Sequence, residues 1–139
     1  MTNSFLKLIL LAVIAGLIAA CSTPQPGEQS VLVTAGNETA AMARLRAIAA
    51  AEARYQVDFG GEYGTLDQLI EKRYVNDPGN GKLIGYRFDV QVKPGSFQVT
   101  AVPEKAGVTG KRSFYLDETN VLHAADKKGA PATVSDPES

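Results

Sequence analysis

Cysteine, histidine and long apolar runs are what this chain has least of. It carries one cysteine, Cys21, and one histidine, His123, in 139 residues. No disulfide can form within one chain, so stability has to come from packing. A catalytic or zinc centre needs several converging ligands. A lone His123 at the end of a short strand reads instead as a surface or edge residue. An excess of one charge is also missing: 14 Lys and Arg stand against 15 Asp and Glu. Such a balance offers no basic stripe for nucleic acid or anionic lipid. No serine lies in a Gly-x-Ser-x-Gly nucleophile elbow. No phosphate-binding glycine pattern follows a strand and opens a helix. Gly79, Gly81 and Gly85 precede a strand and read as turn-makers. Together these absences point away from an enzyme.

The apolar run that is present spans Leu8 to Ala20, after a single positive charge at Lys7. Crossing a hydrocarbon core takes about 20 apolar residues, so this run is short for a span and suits a cleaved leader. It ends in Ile18-Ala19-Ala20-Cys21. An aliphatic residue followed by two small ones and a cysteine resembles a bacterial lipoprotein signal. The resemblance implies cleavage before Cys21, diacylglycerol on its thiol, and an acyl chain such as palmitate on its amino group. Two attachments of this kind are what stable anchoring requires. The residue after the cysteine is Ser22 and not Asp, which by the same resemblance implies export to the outer membrane, facing the periplasm. An ordinary signal peptide and an uncleaved anchor are the competing readings.

Removal of residues 1–20 leaves about 119 residues, enough for one domain with one core. Residues 21–36 are rich in Ser, Thr, Pro, Gln and Gly and read as a lipidated flexible tether with a reach of roughly 20 Å. Within it, Val31-Leu32-Val33 is an apolar patch able to pack on the domain. Residues 37–125 form the domain, and residues 126–139 read as a disordered tail with Pro131 and Pro137.

Within the domain, Glu38 to Asp58 is the clearest helix, capped by Asn37 or Thr39. Ala41, Leu45, Ile48, Glu52, Tyr55 and Phe59 fall on one stripe. Gly60-Gly61 stops it. Thr65-Leu66-Asp67-Gln68 has the capping-box pattern and opens a short second helix running to about Tyr74, with Leu66, Leu69 and Ile70 on its buried face. Asn76 to Gly81 is a turn cluster. Four antiparallel strands follow. Tyr86, Phe88, Val90 and Val92 alternate with Arg87, Asp89 and Gln91. Lys93 to Ser96 is a hairpin turn, and Phe97, Val99 and Ala101 continue the apolar face. Ser113 to Leu116 and Val121 to Ala124 complete the sheet, with Asn120 at the turn suited to a left-handed conformation. A long helix and a short helix packed on one face of a four-stranded antiparallel sheet make an α+β fold.

This order resembles the globular head of type IV pilins and type II secretion pseudopilins. The matching stretches are Ala51-Glu52-Ala53-Arg54-Tyr55, Tyr63-Gly64-Thr65-Leu66, Gly85-Tyr86-Arg87-Phe88, Phe97 through Pro103, and Ser113 through Glu118. They lie in one order over about 85 residues, from 41 to 125. The Asp117–Asn120 turn has Asn where such proteins usually have Gly. The prepilin cleavage site and the long apolar stem that forms a filament core are not found before the helix. The resemblance therefore implies a pilin head whose stem is replaced by a lipid, with pilus or secretion-system proteins as partners.

Three features invite a site reading. Glu52 puts a carboxylate in the apolar stripe, which costs free energy unless it is paired. It accepts backbone N–H groups from the loop after the helix, or pairs with an arginine such as Arg87, or marks a ligand or partner site. Asp117, Glu118 and Asn120 make an oxygen-rich turn. Some pseudopilins bind calcium through a C-terminal loop, and calcium takes 6–8 oxygen ligands; Asp and Asn are also ordinary turn residues. Tyr55, Tyr63, Tyr74, Tyr86 and Tyr115 either line a binding face or pack with the hydroxyl at the rim. The function expected is a non-enzymatic, lipid-anchored, pilin-like envelope protein acting by protein–protein contact. The alternative is a periplasmic binding module for a small ligand or peptide.

Overall fold

The computed structural model describes residues 26–76 and 84–139. The lipidation expected at Cys21 and the turn over Asp77–Gly81 lie outside these residues. Two helices, α1 (Pro26–Asp58) and α2 (Leu66–Glu71), precede four strands: β1 (Tyr86–Lys93), β2 (Ser96–Pro103), β3 (Ser113–Asp117) and β4 (His123–Ala125). The strands form one antiparallel meander in the order β1-β2-β3-β4.

The expected stripe faces the sheet. Ala41, Leu45, Ile48 and Glu52 are wholly buried and Tyr55 nearly so. Phe59, the last member of the stripe, is exposed and stacks on Tyr55 at 4.2 Å between ring centroids. Gly60 and Gly61 both take positive φ, at 67° and 99°, and end the helix as paired glycines should. The capping box on α2 is present in both directions. Thr65 Oγ1 accepts from the Gln68 N–H, and Gln68 Oε1 accepts from the Thr65 N–H. Arg73, at φ 61°, turns the chain after α2, so the helix stops short of the Tyr74 expected from sequence.

Strand alternation sets the register. Tyr86 and Phe88 pair across from Pro103 and Ala101, and Val90 and Val92 from Val99 and Phe97. These, with Phe114 and Leu116 of β3, form the face that α1 covers. The helix packs chiefly on β2 and β3. Val90 and Val92, on β1, are consequently only half-buried.

Two expectations from sequence are corrected. The helix already runs at Pro26, the first described residue, so residues 26–36 are helical and not a flexible tether. Contacts with the β2–β3 loop support this extension: Thr34 Oγ1 donates to the Val108 carbonyl at 3.2 Å, and Asn37 Nδ2 to the Thr109 carbonyl at 2.8 Å. The C-terminal residues, expected to be disordered, fold back onto the sheet. The Ala124 N–H donates to the Pro137 carbonyl at 2.9 Å, and the Ser139 N–H to the Leu122 carbonyl at 2.8 Å. Ala132 is 2% exposed. This segment explains why every residue of β3 is buried. Its inward side chains meet the helix, and its outward ones lie towards the C-terminal segment.

Candidate functional site

Glu52 sits at the centre of the packed stripe. The Gly64 N–H donates to its Oε2 at 2.8 Å. Its Oε1 has no hydrogen-bond partner among the described residues. Burial pushes the carboxyl up to about 6, against the lowering effect of the Gly64 N–H. Of the two protein partners that sequence offers, the structure shows the loop amide, and it leaves Arg87 exposed on the other face of the sheet. A Cβ on Gly64 would sit 3.1 Å from the Tyr55 ring, so the loop can approach Glu52 this closely because residue 64 is glycine. The arrangement ties the loop to α1.

A second carboxylate, Glu38, was not singled out by sequence. It is nearly buried on α1 and holds the start of β3. Its Oε1 accepts from the Lys111 and Arg112 N–H groups at 2.9 and 3.1 Å, and its Oε2 from Arg112 Nε at 2.9 Å. Burial alone would raise its pKa, but these bonds outweigh burial and lower it. No local pattern announces this pairing, because the partners are over 70 residues apart.

The oxygen-rich turn is occupied with its own structure. Asp117 Oδ1 accepts from the N–H and Oγ1 of Thr119, and Oδ2 from the Tyr115 hydroxyl at 2.9 Å. Burial raises the Asp117 carboxyl, and these bonds bring it below its usual value. The Tyr115 hydroxyl is pushed up to about 12, by burial first and then by Asp117. Glu118 and Asn120 are exposed, and Asn120 takes the left-handed conformation at φ 61°. Among the described residues no three His, Cys, Asp or Glu side chains gather as a metal-binding group.

His123 lies on the edge strand β4, one of the two places the sequence reading allowed, but it is buried and not at the surface. Its Nδ1 lies 2.7 Å from the Asp136 carbonyl oxygen, and its ring meets Tyr115 edge-on. The C-terminal segment supplies this cover. Asp136 also pairs with Lys127 Nζ at 3.0 Å and accepts from the Thr133 N–H at 2.8 Å.

The five tyrosines do not share a face. Tyr86 is wholly buried under the helix, and its hydroxyl donates to the Arg112 carbonyl at 2.7 Å. A Cβ on Gly110 would fall 1.9 Å from that hydroxyl, so glycine is required there. Tyr55 stacks on Phe59, Tyr63 packs against Phe97, and the Tyr74 hydroxyl donates to Asp58. Tyr115 alone lies on the outer face, where a groove of about 590 Å³ runs between the sheet and the C-terminal segment. Arg87, Asp89, Gln98 and Thr100 line its sheet side.

The two edges of the sheet differ. The C-terminal segment covers β4, where His123 bridges Glu138. No strand among the described residues pairs with the outer edge of β1. No helix among the described residues is long and apolar enough to cross a membrane. No family model, curated protein or solved structure matches this chain.

Proposed function

We propose that this is a lipid-anchored protein of the cell envelope, with a pilin-like head that acts by protein–protein contact and catalyses no reaction. Cys21 carries the diacylglycerol and acyl chains, and the domain faces the periplasm from the outer membrane. Its partners belong to a type IV pilus or type II secretion apparatus. The observation that carries the reading is the asymmetry of the sheet. The chain covers the β4 edge with its own C-terminal segment, and no described strand pairs with β1. A strand edge with free N–H and C=O groups is a template for pairing with another chain. The carboxylates that the fold buries hold its own loops, at Gly64, Arg112 and Thr119.

A photo-crosslinker placed at Gln91 on β1, in the lipidated protein in its native cells, tests the proposal. Mass spectrometry of the adducts is expected to recover pilins, pseudopilins or a secretin. A crosslinker at Thr133, on the C-terminal segment, is expected to recover none of them. Adducts from Gln91 with only this protein or unrelated envelope proteins would count against the assignment. The alternative, a periplasmic binding module, draws on the outer-face groove. That groove mixes polar side chains such as Arg87, Asp89 and Gln98 with apolar ones such as Val102, Pro131 and Val134, and one of the five tyrosines, Tyr115, reaches it.

A further inference from the structure

The early start of α1 changes how the domain meets the membrane. Only four residues, 22–25, separate Cys21 from Pro26, the first described residue of the helix. Five Cα-to-Cα steps span at most about 17 Å even when fully extended. The start of α1 is therefore held close to whatever surface Cys21 is attached to.

At that end of the molecule, four large apolar side chains face solvent. Val31, Leu32 and Val33 are 67%, 66% and 58% exposed. They lie about 8–11 Å along the axis from the start of α1. Val108, at 65% exposure, joins them from the β2–β3 loop, which Thr34 holds against the helix. Among the α1 residues whose burial is described, Glu38 is the first that is buried, one to two turns beyond these apolar residues.

Their spacing says what kind of surface they fit. A partner helix or protein groove is met by a stripe at i, i+3 and i+4. Three consecutive residues are instead about 100° apart and spread over roughly 200° of the helix circumference. Val31 borders a groove shared with Lys111 and Lys128 and the rest of the arc is open, so the arc suits a fluid medium that can fit round it. The headgroup layer, about 5–8 Å thick on each side of the bilayer, is such a medium. Glu28, Gln29 and Ser30 precede the apolar residues in the sequence, and a polar stretch beside an apolar one fits contact at headgroup depth and not entry into the acyl core.

We propose that Val31, Leu32, Val33 and Val108 form an apolar collar that rests in the headgroup region of the same membrane. This inference rests on the lipidation of Cys21 proposed above. The tether makes the collar's contact intramolecular, so a weak apolar attraction is enough to keep it engaged. The collar converts a lipid leash into a seated domain, with the sheet held at a fixed distance from the surface.

The chain has no tryptophan, so single substitutions give clean probes. Leu32→Trp and Val108→Trp test the collar. Val57→Trp, near the C-terminal end of α1 and 81% exposed, is the control. Each full-length lipidated protein is placed in phosphatidylethanolamine–phosphatidylglycerol vesicles with lipids brominated near the top of the acyl chain. The probes at 32 and 108 are expected to shift to the blue and to lose fluorescence by about twofold or more, with no change at 57. Proteins that float with the vesicles while the probes at 32 and 108 stay as water-exposed as the one at 57 would overturn the collar alone. A protein that does not float at all would overturn both the anchor and the collar.

Discussion

Glu52 shows how one residue sets the pH response of the fold. Its carboxyl is raised from 4.5 to about 6 by burial, so the folded protein holds a proton that the unfolded chain releases. Stability from this group is complete below pH 4.5 and is lost as pH rises through about 6. The difference is about 2 kcal/mol, at 1.36 kcal/mol per pH unit. Glu52→Gln keeps an acceptor for the Gly64 N–H and removes the charge. Urea denaturation at pH 4.5 and pH 7 should show the variant gaining up to about 2 kcal/mol on the parent at pH 7, and little at pH 4.5. Equal effects at the two pH values would mean that the carboxyl is not destabilised by burial. Glu38, Asp117 and Asp136 shift the other way, and their contributions are lost only at lower pH. That Glu52 was buried could be read from its place between Ile48 and Tyr55. An amide of the loop after the helix was among the partners the sequence offered; that it is the Gly64 amide, and not Arg87, depends on how closely the loop approaches α1.

The elements that were legible are those whose side chains alternate or repeat. Tyr86, Phe88, Val90 and Val92 named β1 and its inner face, and Leu45, Ile48 and Tyr55 named the core side of α1. The segments misread lack such periodicity. Residues 26–36 contain Gly27, Gly36, Ser30 and Thr34, poor helix formers that read as a linker. Tertiary bonds from Thr34 and Asn37 to the β2–β3 loop support the helix there. The C-terminal segment is polar and carries prolines, yet Asp136 organises it through Thr133 and Lys127. Truncation after Ala130 removes the buried Ala132 and uncovers His123. It is expected to cost about 1–3 kcal/mol in urea denaturation, from lost apolar cover and two lost edge hydrogen bonds, and to speed amide exchange in β4. Unchanged stability and exchange would mean that the segment does not hold the sheet.

At the scale of the whole molecule, three layers are stacked: α1, the four-stranded sheet, and the C-terminal segment. Sequence periodicity revealed the first two. The third is built from local turns and backbone bonds, which carry no repeat to read. The result is a domain with one sheet edge covered and, among the described residues, one unpaired, on a helix whose first described residue lies five positions after the cysteine. Both the protein-contact role and the membrane-seated collar depend on that cysteine being lipidated. Membrane fractionation of native cells expressing the parent or Cys21→Ser, with intact mass of the mature protein, tests this directly. The account expects a parent whose chain begins at Cys21, heavier by the diacylglycerol and acyl groups and confined to the membrane fraction, and a variant released from it. A mature chain beginning elsewhere, or a Cys21→Ser protein that stays in the membrane, would contradict it.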